Sequence, residues 1–118
     1  MDKERRRAPR VNIMCKISAV FGERLLVFNS HTENVSSSGL RAVLEEKFHV
    51  PTEVEVELFF AEKGIPLKLK GQITWVRELG PAGTTPRLYD TGIKFLDVSE
   101  ADKKEIETLL AGVKSNPA

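Results

Sequence analysis

The sequence predicts an all-β domain with one helix at its C-terminal end. Three observations predict it: short runs in which apolar and polar residues alternate, turns rich in Gly, Pro, Asn and Ser between them, and helical periodicity only near the end of the chain. Ile13, Cys15, Ile17 and Ala19 alternate with Asn12, Met14, Lys16 and Ser18, giving a first half-buried strand. Phe21-Gly22-Glu23 reads as a turn into a second strand, Leu25 to His31, and a polar turn from Asn34 to Gly39 precedes a third, Leu40 to Leu44. Glu53 to Leu58 and Leu67 to Trp75 alternate strictly, each with one face for a core and one for water, and Glu62-Lys63-Gly64 turns the chain between them. Gly80-Pro81-Ala82-Gly83 with Pro86 marks a longer loop before a last strand, Leu88 to Leu96. Ser99 with Asp102 three residues on is a helix-start signal, and Ile106, Leu109, Leu110 and Val113 fall at i, i+3, i+4 and i+7 on one face. Six short strands fit a barrel or a sandwich, and pattern alone does not separate the two.

At 118 residues the chain is one domain, and 41% hydrophobic with 30% charged residues is the balance of a soluble globular protein rather than a disordered one. No apolar run approaches the roughly 20 residues of a membrane helix, and the charged N-terminus has no apolar stretch behind it as a secretory signal would. The one cysteine, Cys15, has no partner for an internal disulfide, so the cytoplasm is the expected compartment. The net charge of +1 hides an asymmetry. Lys3 and four arginines against Asp2 and Glu4 leave +3 on residues 1–10 and −2 on the remainder. A basic arm on a mildly acidic body suits a small anionic ligand or an acidic partner surface better than a long polyanion, whose binders carry basic stripes on the body as well.

The arm is Arg5-Arg6-Arg7-Ala8-Pro9-Arg10. Pro9 fixes its own φ and biases Ala8 toward extended geometry, which places Arg6 and Arg10 on one side of the chain about 13 Å apart. Two guanidinium forks so placed can bracket a ligand with separated phosphates, binding oxygens bidentately or meeting a purine. A solvated basic terminus is the plain alternative. In Asn34-Val35-Ser36-Ser37-Ser38-Gly39, Asn34 offers an amide for a guanine edge and Ser36 a hydroxyl for the same base or a phosphate. Gly39 offers a backbone free of Cβ. The same residues also describe an ordinary turn.

Taken together and in this order, Arg6-x-x-x-Arg10 and Asn34-x-Ser36-x-x-Gly39 resemble the PilZ family, whose members bind the bacterial second messenger cyclic di-GMP. Gly71-Gln72-Ile73-Thr74-Trp75-Val76-Arg77, Tyr89-Asp90-Thr91-Gly92-Ile93-Lys94-Phe95 and the helix after Ser99 look like the family's later strands and closing helix, so the resemblance covers nearly the whole chain. It implies a six-stranded antiparallel β-barrel plus a C-terminal α-helix. The chain then divides into a flexible ligand-binding arm at 1–11, the barrel domain with its helix at 12–114, and a tail at 115–118. By the same resemblance the dinucleotide lies on the outer barrel face, with Arg6 and Arg10 on guanine and phosphate and Asn34, Ser36 and Gly39 on the opposite wall. Arg5 and Arg7 extend the basic set; a basic residue just before R-x-x-x-R accompanies two stacked ligand molecules in family members. Asn34 stands where many members have Asp, which removes a charge-assisted bond to guanine. Alternation assigns Trp75 to the core, with a stacking surface beside the ligand as the other reading.

No catalytic constellation is visible. His31 and His49 are scattered, Cys15 sits on the apolar side of its strand, and Glu53, Glu55 and Glu57 fall on the solvent face. The expected function is therefore a non-enzymatic cyclic di-GMP receptor, without cofactor or metal, that regulates an effector protein in trans in motility or biofilm formation. The alternatives are a small nucleic-acid-binding barrel, against which the lack of an exposed aromatic platform argues, and a PilZ-like adaptor that contacts protein without ligand.

Overall fold

The computed structural model describes residues 13–21, 23–60 and 64–114. Six strands appear in it, β1 (Met14–Phe21), β2 (Arg24–Val35), β3 (Gly39–Leu44), β4 (Thr52–Phe59), β5 (Leu67–Leu79) and β6 (Leu88–Leu96), followed by the helix α1 (Glu100–Lys114). All neighbouring strands are antiparallel, and they form a closed barrel in the order β1-β2-β3-β6-β5-β4, with the ring completed by pairing of β4 to β1. The barrel rather than a sandwich is thus what the alternating strands build. Arm residues Arg5, Arg6, Arg7 and Arg10 and the tail at 115–118 lie outside the described residues, as does the side chain of Val113.

Alternation explains the interior. Cys15, Ile17 and Ala19 of β1, Leu40, Ala42 and Leu44 of β3, and Val54, Val56 and Leu58 of β4 all point inward and are buried. Glu53 and Glu55 are exposed on the outer face, and Glu57 meets Lys16 across the β1–β4 pair at 3.6 Å. The helix starts as its sequence predicts. Ser99 Oγ accepts a hydrogen bond from the Asp102 N–H at 3.0 Å, and Glu100 with Asp102 places negative charge at the positive end of the helix dipole. Ile106 and Leu110 are buried in the barrel's hydrophobic cluster, with Leu109 packed against it.

Direction follows from antiparallel pairing. A chain that enters β1 at one end of the ring turns back after β1 and leaves β2 at the end where it entered. The start of β1, the β2–β3 turn, the β4–β5 connection and the β6–α1 junction therefore share one end of the barrel, which we call the arm end. Ile13, one residue before β1, is tied there to Thr32 of β2. Its N–H donates to Thr32 Oγ1 at 3.1 Å, and its carbonyl accepts the Thr32 N–H at 2.8 Å.

Two strands run further than their sequence pattern. β2 continues past His31 through Asn34 to Val35, so Asn34 belongs to a strand and the turn proper is only Ser36–Ser38. β5 continues past Trp75 to Leu79 and forms a long hairpin with β6. Register shifts at Glu33 on β2 and at Thr74 on β5 mark a β-bulge in each strand.

Cys15 is fully buried, and burial pushes its thiol up from 9.0 to about 11. The folded state therefore holds this proton more tightly than the unfolded chain does. Stability from this group is complete below about pH 9 and declines between about 9 and about 11, as only the unfolded chain gives up the proton. In urea titrations at pH 8 and pH 10.5, we expect wild type to lose on the order of 2 kcal/mol more than Cys15→Ala between the two. Equal losses would show that the thiol is not buried as described.

Candidate ligand site at the arm end

An open depression of about 820 Å³ lies on the outer surface at the arm end, and its lining includes Asn34, the Ser36–Ser38 turn, Gly39, Arg41, Trp75, Lys94 and Lys103. Its size lies within the roughly 300–1,000 Å³ typical of small-ligand sites. The turn is held by its own serines. Ser36 Oγ accepts the Ser38 N–H at 3.1 Å and lies 3.0 Å from Ser38 Oγ, while the Ser36 N–H donates to the Gly39 carbonyl at 2.9 Å. Two further bonds attach the turn to its surroundings: Ser38 O accepts the Phe95 N–H at 2.9 Å, and Ser37 Oγ donates to Glu107 of α1 at 3.2 Å. The structure thus brings Asn34, Ser36 and Gly39 to one pocket wall, with Asn34 exposed.

Strand register sets out the floor as a grid. One row across β3, β6 and β5 is Gly39, Lys94 and Gln72; the next, extended onto β2, is Asn34, Arg41, Gly92 and Trp75; the third is Val43, Asp90 and Arg77. Trp75 is 42% exposed, which corrects its assignment to the core. The bulge at Thr74 is the physical reason: one extra residue shifts the register after Ile73, so Ile73 stays inside and Trp75 turns out. Its indole then lies over Gly92, where an added Cβ would come within 2.1 Å of the ring nitrogen; we therefore take Gly92 as the residue that lets the ring settle on the strand.

Gly39 has a packing task that its sequence did not reveal. A Cβ there would fall 2.3 Å from the backbone carbonyl oxygen of Ile93, so the missing side chain serves the close approach of β3 to β6. It also starts the strand that carries Arg41.

Asp90 has an environment that the sequence did not reveal. It is 2% exposed on the outer face of β6, hydrogen-bonded at 3.0 Å to Arg77 and 3.3 Å from Nε of Arg41. Arg41 also approaches Glu33 at 3.8 Å. Arg41 and Lys94 were missed as site residues, yet parity could have found them: with Leu40, Ala42 and Leu44 inside, Arg41 must point out beside Asn34. Among the described residues no cluster of three or more metal-ligating side chains occurs, and no helix is long and apolar enough to cross a membrane.

A closed six-stranded antiparallel barrel, a capped C-terminal helix and a polar turn at the barrel's end define a small β-barrel domain. The chain belongs to the PilZ domain family, which matches residues 4–112 and is a family of cyclic di-GMP receptors. Among solved structures it is similar to the PilZ domain with c-di-GMP of YcgR from Escherichia coli. The TM-score is 0.66 at 13% identity, over 94% of this chain and 92% of that one. It is also similar to the Bacillus subtilis inhibitor of motility MotI/DgrA, with TM-score 0.61 at 10% identity, over 95% of this chain and 53% of that one. At these identities the likeness is one of fold. No curated protein matches the sequence.

The two glycines predict different outcomes. Gly39→Ala meets backbone and should cost about 1–3 kcal/mol in chemical denaturation. Gly92→Ala meets the movable indole of Trp75, the only tryptophan, and should chiefly shift its fluorescence. An unchanged Gly39→Ala stability, or unchanged emission of Gly92→Ala, would contradict the packing described.

Proposed function

We propose that this protein is a non-catalytic receptor for cyclic di-GMP, acting in the cytoplasm, that grips the dinucleotide between its N-terminal R-x-x-x-R arm and the Asn34–Gly39 segment. The observation that carries the reading is placement. The segment containing Asn34, Ser36 and Gly39 borders a depression at the barrel end where β1 begins. Arg10 is three residues from Ile13, and three residues of chain span at most about 10 Å. Ile13 is bonded to Thr32, two residues from Asn34. In this reading the arm folds back from Ile13 so that Arg10, and Arg6 beyond it, meet the depression. Family membership supports the ligand class, and the similar YcgR domain is described with c-di-GMP.

In this reading Arg6 and Arg10 bind phosphate and guanine, Asn34 and Ser36 present hydrogen-bonding groups from the opposite wall, and Gly39 keeps the turn close to β6. The exposed indole of Trp75 gives a base a surface to stack on. Arg5 and Arg7 add positive charge for a second, stacked ligand molecule. Residues 1–11 act as the ligand-gripping arm, 12–114 as the barrel with its helix, and 115–118 as a tail. Ordering the arm over the depression changes the shape and charge of one surface, and an effector protein reads that change in trans.

The test is calorimetric titration with cyclic di-GMP beside GMP and a short single-stranded oligonucleotide. Saturable binding of cyclic di-GMP alone, at one or two per chain, is expected, together with a change in Trp75 fluorescence. Charge-assisted hydrogen bonds contribute about 1.5–3 kcal/mol each, so Arg6→Ala or Arg10→Ala should weaken binding roughly tenfold to a hundredfold. Binding only of the oligonucleotide, with affinity rising with its length, would replace this reading with the nucleic-acid one.

A further inference from the structure

Asn34, Arg41, Gly92 and Trp75 form one outward-facing row across four strands. A ligand that touches Asn34 at one end of the row and the indole at the other has to lie over Arg41. Arg41 itself lines the depression and is about one-third exposed. We infer that Arg41 is a ligand-contacting residue, supplying from the barrel wall a guanidinium that meets a phosphate or guanine of the dinucleotide, and that Asp90 and Glu33 hold it in position. The inference rests on the cyclic di-GMP reading above and adds a residue that neither family motif contains.

Three features carry it. The first is how the guanidinium is held. Nε faces the buried Asp90 carboxylate at 3.3 Å and Nη2 lies 3.8 Å from Glu33, two weak tethers that orient the group without saturating its five N–H donors. Nε and Asp90 Oδ1 in fact make no hydrogen bond of good geometry. The second is that Asp90 already has a partner. Arg77 hydrogen-bonds its other oxygen at 3.0 Å from the far side, so neutralising this carboxylate does not by itself account for Arg41. The third is the identity of residue 34. Asn34 and Arg41 are cross-strand partners, and side chains at such positions interact directly. An aspartate at 34 would draw the guanidinium into an ion pair, whereas the neutral amide leaves it for the ligand. An arginine suits this position because its planar fork matches phosphate oxygens and the guanine O6/N7 edge alike.

The opposing possibility is that Arg41 serves only as a counter-ion for buried Asp90. Titrating cyclic di-GMP into the full chain and into Arg41→Ala, Arg41→Lys and the double variant Arg41→Ala/Asp90→Asn separates the two. The double variant removes the buried charge together with its counter-ion, so it guards against misfolding of Arg41→Ala. We expect Arg41→Ala to bind at least tenfold more weakly than wild type and Arg41→Lys, with charge but no fork, to fall between them. The double variant should regain the thermal midpoint of wild type but not its affinity. Affinity in the double variant within twofold of wild type would overturn the inference while leaving the receptor reading intact. A wild-type chain that does not bind cyclic di-GMP would overturn both.

Discussion

The site depends first on the paired hydrogen bonds between Ile13 and Thr32. They join Ile13, the first described residue, to the strand that leads into the Asn34–Gly39 segment, and they lie in the interior, where Thr32 is fully buried. Water competes poorly for hydrogen bonds there, and leaving the groups unpaired would cost on the order of 1–3 kcal/mol each. Ile13 and Asn34, 21 residues apart in sequence, thereby sit at the same end of the barrel. A hairpin is the simplest device that can do this, since it returns the chain to the end it came from.

The rest of the barrel converts that proximity into a surface. Closure of the ring by β4 against β1 fixes which face is outside, and the inward rows of aliphatic residues hold it there. Two departures from regular pairing then shape the site. The bulge at Glu33 adjusts the approach of β2 to β3 just before Asn34, and the bulge at Thr74 turns Trp75 from the interior to the surface. Gly39 and Gly92 supply the space these arrangements need, one for a neighbouring backbone and one for an indole. The helix is linked to the same end through the Ser37–Glu107 hydrogen bond, so the turn touches both the depression and α1.

Much of this was legible in the residues. Alternation in three runs and the turn residues around the other three located all six strands, and the Ser99 signal located the start of the helix, because these depend on local periodicity, turn chemistry and capping. Ring closure was not legible from alternation, since a sandwich has the same period; only the family resemblance distinguished them. Asn34, Ser36 and Gly39 were read as one polar segment and do share a pocket wall, although Asn34 proved to be in a strand. Trp75 was misplaced because a bulge has no reliable sequence signature and one inserted residue inverts every later side chain. Asp90 stayed hidden for a related reason. A carboxylate on the outer face of a strand reads as solvated, and the two arginines beside it, Arg41 and Arg77, come from other strands.

The central claim is that the arm, the Asn34–Gly39 segment and the Asn34–Arg41–Gly92–Trp75 row make one site. Backbone amide spectra of isotope-labelled protein, recorded during addition of cyclic di-GMP, test it most directly. The account predicts that resonances of residues 5–8 and 10, Ser36 to Arg41 and Gly92 to Lys94, with the Trp75 indole N–H, shift together along one saturation curve. Those of the β1–β2 and β5–β6 connections at the opposite barrel end should stay in place. Shifts concentrated at that opposite end, or an arm that responds while the segment and the row do not, would contradict it.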